Sequence, residues 1–452
     1  MPVSPARAAA FDILLRVERE SSYASELLHS ATYARLSTAD HALATELVMG
    51  VLRWRSRLDD EIAVVASQRV SRLDLEILIA LRLAVYQLRW LDRIPQRAAL
   101  HESVELVKWA GKRSAAPFVN AVLRKLSATA EKREVGAENE RDSAETLARF
   151  FAHPLWMVER WAREYGLAVA RQICECDQSV PTTAVRLRTA AADVSLKEDG
   201  ITLAPGGLLA SARRVLAGAI TDTKAFRAGE AVIQDEGSQL VAALVGKASR
   251  ERARILDCCA APGGKTLAIA DRNPGAMITA VELHPHRAWL LRRLLRASKA
   301  SDQIHVLVGD ARNLPISGGF NRVLADVPCS GTGTLARNPE IKWRLRPDDL
   351  AELQARQSAI LRAALAQVAP GGRVIYSTCS LEREENEDVV ERALAENKSF
   401  RVVDCGAELE RLTAAGELTW PDARSLTRGP YLRTIPGMHP CEGFFAAILE
   451  KR

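Results

Sequence analysis

Cysteine is too thin in this chain to act as a cross-link. Eight thiols are spread over 452 residues, which excludes the disulfide framework of a small secreted domain. No secretory leader is expected, because Asp12, Arg16, Glu18 and Arg19 interrupt the first apolar segment. No apolar run is long enough for a bilayer, which takes about 20 residues. Metal ligands are also sparse. Cys174-Glu-Cys176 has no second pair and no neighbouring His set, so no metal site is expected and a helix-borne pair of small side chains is. A complete phosphate loop is missing as well. Gly264-Lys-Thr266 would need a glycine five residues before Gly264, where Cys259 stands, and this argues against a nucleotide triphosphatase. Internal repeats and low-complexity tracts are absent. These gaps point to a cytoplasmic protein with free thiols and no membrane segment.

What remains is a globular composition, 48% hydrophobic, with a net charge of +6. The length is enough for two or three domains with real cores. The mild positive balance permits a nucleic-acid partner without requiring one.

Residues 1–127 read as a helical bundle. Glycine is sparse, and Leu78, Leu81, Val85 and Leu88 share one helix face that ends before Pro95. Ala115 to Leu126 reads as another helix, with Pro117 in its first turn. Residues 128–144 are charged, have little to bury and read as a linker. Residues 145–230 mix a helical Phe150–Tyr165 with an alternating Thr182–Arg188 strand, the pattern of a small α/β connecting domain. From 231 to 452 strands and helices alternate. The expected strands are Arg254–Cys258, Met277–Glu282, Ile304–Val308, Arg322–Val327 and Arg373–Ser377. The expected helices include Arg287–Lys299 and Leu350–Val368. This alternation implies a parallel sheet covered on both faces, with Gly443–Glu450 as a further edge strand.

Three motifs carry the chemistry. The first, Asp257-Cys-Cys-Ala-Ala-Pro-Gly-Gly-Lys-Thr266, turns from a strand into a helix. Gly263 and Gly264 let backbone approach a ligand there. Glu282 ends the next strand and suits the two ribose hydroxyls of an adenosine. Asp310, after the third strand, is placed for the adenine amino group. Acids 257, 282 and 310 at successive strand ends favour ligand binding over solvated loops, and nothing in the trio favours phosphate. A sulfonium cofactor therefore fits better than a dinucleotide.

The second and third motifs are Asp326-Val-Pro-Cys-Ser-Gly-Thr-Gly333 and Tyr376-Ser-Thr-Cys-Ser380. Cys258, Cys259 and Cys405 read as inert core thiols. Cys329 and Cys379 each follow a strand and are flanked by Ser, Thr or Gly, so they are candidate nucleophiles once deprotonated. Cytosine C5 is a poor nucleophile until a thiolate adds at C6. Asp326, three residues before Cys329, suits the amino group or ring nitrogen of that base. Spacing alone leaves open which cysteine attacks. Arg53-Trp-Arg-Ser-Arg57 and Lys342-Trp-Arg-Leu-Arg346 are candidate RNA contacts through phosphate pairing and stacking. A solvated helix face with a half-buried Trp is the competing reading.

These motifs resemble the RNA cytosine-C5 methyltransferases. Residues 1–127 resemble a NusB-like RNA-binding bundle, in Glu46-Leu-Val-Met-Gly-Val-Leu-Arg-Trp-Arg55 and Phe118-Val-Asn-Ala-Val-Leu-Arg124. The pairing is similar to the bacterial RsmB (Sun/Fmu) type, which acts on small-subunit ribosomal RNA. The resemblance implies an α/β protein with a Rossmann-like core that uses S-adenosylmethionine. Cys379 would attack C6, Cys329 would help release the adduct, and Asp326 would contact the cytosine and lie near the methyl donor. Cys259, Ala260, Ala261, Pro262, Gly263, Gly264 and Lys265 would line the cofactor with Glu282 and Asp310. The family often has Asp where this chain has Glu282, and the longer acid keeps the chemistry. Gln234-Asp-Glu-Gly-Ser238 resembles the opening of the catalytic core. A monomer acting on 16S ribosomal RNA is expected. The alternatives are a transfer RNA cytosine-C5 methyltransferase and a non-catalytic RNA-binding assembly factor.

Overall fold

In the computed structural model, nine α-helices run through residues 3–180 before the first strand among the described residues. The structure describes residues 3–20, 22–128, 143–248, 252–298, 300 and 302–452. The expected linker at 128–144 falls almost wholly outside them. The chain divides into two compact units. One is Met1–Val180 with Leu335–Arg344, and the other is Pro181–Thr334 with Leu345–Arg452. The boundary at 180 falls within the stretch 145–230. Its helices up to Gln178 fall in the first unit, and its strands, with the helices Ala190–Glu198 and Lys224–Arg227, fall in the second.

In the first unit the longest helix, Thr38–Ala66, starts where the Ser37 side chain accepts from the Asp40 N–H, satisfying one orphan donor of its first turn. Leu75–Trp90 buries Ile77 to Gln87 without a break, so it is the central helix and not a surface stripe. Each fully buried leucine there, such as Leu81 and Leu83, contributes roughly 1.5–3 kcal/mol. Ala116–Ala128 buries Val119, Val122, Leu123 and Leu126, spaced for one face.

The second unit opens with a small antiparallel sheet of β1 (Thr183–Leu187), β2 (Thr202–Pro205), β3 (Ala212–Ala217) and β4 (Ala231–Ile233), in the order β2-β3-β1-β4. The large sheet comprises β5 (Arg254–Asp257), β6 (Met277–Glu282), β7 (Ile304–Val308), β8 (Phe320–Asp326), β9 (Val368–Thr378), β10 (Phe400–Val403), β11 (Thr427–Arg428), β12 (Tyr431–Arg433) and β13 (Phe445–Lys451). Its order is β11-β12-β13-β9-β8-β5-β6-β7, with β10 also pairing β13. Strands β5 to β9 are mutually parallel.

The expectation of an edge strand at Gly443–Glu450 needs correcting. β13 lies inside the sheet, antiparallel to β9 on one side and to β10 and β12 on the other. Its alternating apolar residues serve both faces. Ala446 and Ile448 join one core with Ile255, Leu324 and Ile375. Phe445, Ala447 and Leu449 join the other with Leu256, Val323 and Tyr376. A strand buried on both faces reads as a continuous apolar run, and such a run does not reveal whether it has one neighbour or two.

Candidate active site

Parallel pairing of β8 with β9 sets Asp326 opposite Ser377. The chain beyond each residue therefore leaves the sheet at the same edge. Val327 N–H donates to the Ser377 carbonyl at 3.0 Å, which keeps the two exits together. The result is that Cys329 Sγ lies 3.3 Å from Cys379 Sγ, although 50 residues separate them. The Cys379 N–H also points at Cys329 Sγ, at 3.3 Å. Both thiols are half-buried. Gly333 closes the first turn by donating to the Cys379 carbonyl at 2.9 Å. A Cβ at Gly333 would sit 2.2 Å from the Gly443 carbonyl oxygen, so no larger residue fits.

The Cys329 thiol is pushed well above the ordinary range. Its hydrogen bond to Cys379 is the leading cause, followed by burial and the negative charge of Glu385. Cys329 is thus held in its protonated form at neutral pH.

Asp326 joins this pair to the glycine turn. Its Oδ1 accepts from Ser377 Oγ at 2.8 Å, and its Oδ2 accepts from Lys265 Nζ at 2.7 Å. Burial opposes the Lys265 charge, but Asp326, Cys379 and Asp257 outweigh it and raise the ammonium above its usual value. Lys265 also lies 5.2 Å over the Phe444 ring.

The glycine turn is braced from inside. Asp257 accepts from Thr266 Oγ1 at 2.7 Å and from the Cys259 N–H at 3.3 Å. It is 1% exposed, and burial pushes its carboxyl up to about 6. Asp257 is therefore a brace and not one of three ligand acids. The Ala260 N–H donates to the Val281 carbonyl at 2.9 Å, fixing Cys259, Ala260, Ala261 and Pro262 beside the end of β6. Gly263 has φ +115°, and a Cβ there would meet Leu291 Cδ1 at 2.5 Å. Its glycine requirement thus comes partly from backbone conformation and packing, alongside ligand approach. Gly264 and Lys265 then open the helix Gly264–Arg272.

Glu282 is buried at the end of β6, with Oε1 accepting from the His284 N–H at 3.0 Å. Asp310 lies two residues beyond β7 and is gripped by Arg312 through Nε at 3.0 Å and Nη2 at 2.6 Å. That pair holds the Asp310 carboxyl below its ordinary range. The structure therefore gathers Cys259 to Lys265, Glu282, Asp310, Asp326, Cys329 and Cys379 at the carboxyl ends of parallel strands β5 to β9, where open α/β sheets bind ligands. Acids at strand ends around a glycine turn, with no phosphate-gripping set, fit an adenosine sulfonium. Several residues here escaped the sequence reading: Ser377, Thr266, Phe444, Ser330, Ser380, Gln357 and Glu385. The only sequence signal for the last was Glu384-Glu-Asn-Glu387, which looks like a solvated acidic run.

Most of the two basic clusters needs correcting as RNA contacts, because Arg53, Arg55, Lys342, Trp343 and Arg344 pack together inside the first unit. Lys342 is 1% exposed, and its Nζ donates to the Arg53 and Ala152 carbonyls at 2.9 and 3.0 Å. Trp343 Nε1 donates to the Leu52 carbonyl at 2.6 Å, and Arg344 to that of Val17 at 3.0 Å. Arg53 donates to the Ala336 carbonyl at 3.0 Å, and Arg55 pairs with Glu18 at 2.9 Å while stacking on Trp343. The acceptors are mostly backbone oxygens, which leave no trace in residue identity. Cys174 is buried on the helix Leu167–Gln178. Among the described residues no His, Cys, Asp or Glu group is arranged to hold a metal ion, and no helix is long and apolar enough to cross a membrane.

Comparison with known proteins adds an independent line. Residues 245–450 match the model of the 16S rRNA methyltransferase RsmB/F family, and residues 4–128 match the NusB family. The chain is 34% identical over 470 residues to the probable ribosomal RNA small subunit methyltransferase B of Bacillus subtilis, covering all of both chains. It is 31% identical to the ribosomal RNA small subunit methyltransferase B of Vibrio cholerae, covering 99% of this chain and 97% of the relative. Among solved structures, PH0851 superimposes with a TM-score of 0.79 at 23% identity, covering the whole of both chains. NSun6 from Pyrococcus horikoshii, solved with SFG, gives 0.55 at 19%, over 66% of this chain and 98% of that one. At these identities the two structures speak for the fold, a Rossmann-like methyltransferase core. Full-length similarity to the curated relatives decides the family: this chain belongs to the RsmB/F methyltransferases.

Proposed function

We propose that this protein transfers a methyl group from S-adenosylmethionine to C5 of a cytosine in small-subunit (16S) ribosomal RNA, in the cytoplasm, through a covalent cysteine adduct. The observation that carries this reading is the pair of half-buried thiols 3.3 Å apart, joined through Asp326 and Lys265 to the glycine turn. The names of the curated relatives support ribosomal RNA as the substrate class, and the NusB-like match supports an RNA-handling bundle.

Cysteine 259 to Lys265, with Glu282 and Asp310, would hold the cofactor, which supplies an electrophilic methyl on a sulfonium. Asp310 must exchange part of its Arg312 pairing to reach an adenine. Cys379, as thiolate, forms a bond to C6, and the ring electrons move to C5. Lys265, raised in pKa beside Cys379, favours the thiolate charge. Asp326 holds the amino group or N3 of the base. C5 would take the methyl group as the sulfonium S–CH3 bond breaks and its electron pair stays on the departing thioether, and C5 would then lose its proton to a base such as water. The C6–S bond then breaks, its electron pair leaving with Cys379, while Cys329 assists this release. A paired cytosine must first leave its stack, at a cost of a few kcal/mol.

The test uses labelled S-adenosylmethionine and unmodified 16S RNA, with transfer RNA as the competing substrate. Cys379→Ala is expected to cut turnover by at least about 10³-fold and to give no covalent product. Cys329→Ala is expected to accumulate a protein–RNA adduct that survives denaturation. The reverse pattern exchanges the two roles. Absence of an adduct in every variant would falsify thiolate catalysis, and preferential labelling of transfer RNA would move the substrate.

A further inference from the structure

Both cysteine turns are gripped by one buried carboxylate. Glu385, in the turn Arg383–Glu385, is 0% exposed. Its Oε1 accepts from the Ser330 N–H and from Gln357 Nε2, each at 2.8 Å. Its Oε2 accepts from Ser330 Oγ and Ser380 Oγ, each at 2.5 Å. Ser330 follows Cys329 and Ser380 follows Cys379. Gln357 also donates to the Pro328 carbonyl at 3.0 Å, so the peptides on both sides of Cys329 are held. Among the described residues no Lys or Arg forms an ion pair with Glu385. Four donors take the place of a counter-cation, the arrangement by which a buried carboxylate is satisfied. Other bonds also cross between the turns, from Gly333 N–H to the Cys379 carbonyl and from Leu381 N–H to Thr332 Oγ1 at 2.9 Å. Those fix the far side of the first turn, whereas Glu385 fixes the peptide next to the Cys329 sulfur.

We propose that Glu385 is a positioning residue that clamps the Cys329 turn onto the Cys379 turn, so that the second thiol stands ready when the RNA adduct must be released. The inference rests on the thiolate reading above. Glu385 touches neither base nor cofactor and acts through the serines beside the two thiols. Its negative charge also favours the protonated form of Cys329. Loss of the clamp is therefore expected to impair release more than addition, even with both cysteines present.

The experiment compares full-length wild type, Glu385→Ala, Glu385→Gln and Cys329→Ala. It measures cofactor dissociation constant, multiple-turnover methylation of unmodified 16S RNA, and the fraction of denaturation-stable adduct. For Glu385→Ala the expected result is turnover lowered by about tenfold or more, the scale of one lost hydrogen bond to a charged group. Cofactor affinity stays within about threefold, and adduct accumulates as in Cys329→Ala. Glu385→Gln keeps an oxygen for the Ser330 N–H and Gln357 while its amide faces two hydroxyls free to turn, so it recovers most of the turnover. Turnover near wild type in Glu385→Ala overturns the proposal. So does a loss of turnover without accumulated adduct, because a purely structural role predicts that loss. If Glu385→Ala does not fold, Ser380→Ala carries the same comparison, with a smaller rise in adduct expected and an unchanged adduct level overturning it. If Cys329→Ala also yields no adduct while Cys379→Ala still methylates, the thiolate reading has failed independently of Glu385.

Discussion

Two buried polar clusters, one in each unit, use opposite solutions to the same problem. Around Glu385 one carboxylate receives four hydrogen bonds. Around Lys342 the charges are less fully met. Asp177, 1% exposed, has one carboxyl oxygen 3.2 Å from His153 Nε2, while its Oδ1 has no hydrogen-bond partner among the described residues. Burial pushes Asp177 up to about 8 and Lys342 down to about 7, and holds His153 well below the usual imidazole range. The difference teaches that depth alone does not determine what a buried ionisable group does. Donor count separates a clamp that fixes two reactive turns from a cluster that trades protons near neutrality.

The sharpest way to break this contrast is at Lys342. Lys342→Met removes a buried ammonium and leaves the Arg53 and Ala152 carbonyls without their donor. Unfolding in denaturant is expected to show a loss of about 3 kcal/mol or more, with methylation per folded molecule unchanged. A loss of activity without loss of stability would put Lys342 with the chemistry and erase the distinction.

The pH profile sharpens the same point. Asp177 has a raised folded pKa, so the folded state binds its proton more readily. Its contribution to stability falls as pH rises from the unfolded carboxyl value, about 4, to about 8. Lys342 has a lowered folded pKa, so its contribution rises from pH 7 to the unfolded value of about 10.4. Together they place a minimum in this cluster's contribution between pH 7 and 8. Wild type minus the double variant Lys342→Met, Asp177→Asn should show that dip by chemical denaturation. A flat difference curve would mean that water or relaxation already satisfies the pair.

At the other cluster the expectation is reversed. Asp326→Asn breaks a charge-assisted bond to Lys265, worth about 1.5–3 kcal/mol. Methylation per folded molecule should fall on the order of 10–100-fold, a loss that reduced stability does not account for. A large stability loss with normal turnover would contradict the assignment of Asp326 to the base.

The smallest effect on methylation is expected at Asp257. Because burial raises its carboxyl to about 6, ionising it costs the folded state stability as pH climbs from about 4 to 6. Asp257→Asn should flatten that interval, a change of up to about 3 kcal/mol, and weaken cofactor binding modestly through Thr266 and the Cys259 N–H. An unchanged slope there would show that the brace is not titrating.

The same contrast explains what was legible beforehand. Strand ends at Glu282 and Val308, the glycine turn and the two cysteines were readable because each is a local pattern with a fixed offset. Their convergence depends on the Asp326–Ser377 register, a long-range pairing that no local pattern encodes. Glu385 escaped notice because a carboxylate satisfied by serines and a backbone N–H has the same letters as one bathed in water. Lys342 and Arg53 misled for the mirror reason, since a cationic run looks the same whether it faces phosphate or carbonyl oxygens. The placement of β13 inside the sheet was hidden by an apolar run that suits an interior or an edge position.

The short segment Leu335–Arg344 leaves the second unit, joins the first, and returns. The two halves of the gene are therefore not interchangeable cassettes. A fragment starting at residue 181 would carry Lys342 and Trp343 without their housing, and a fragment ending at residue 180 would carry an empty socket lined by Arg53 and Asp177. An exchange of the N-terminal half must bring a matching decapeptide from deep within the other half.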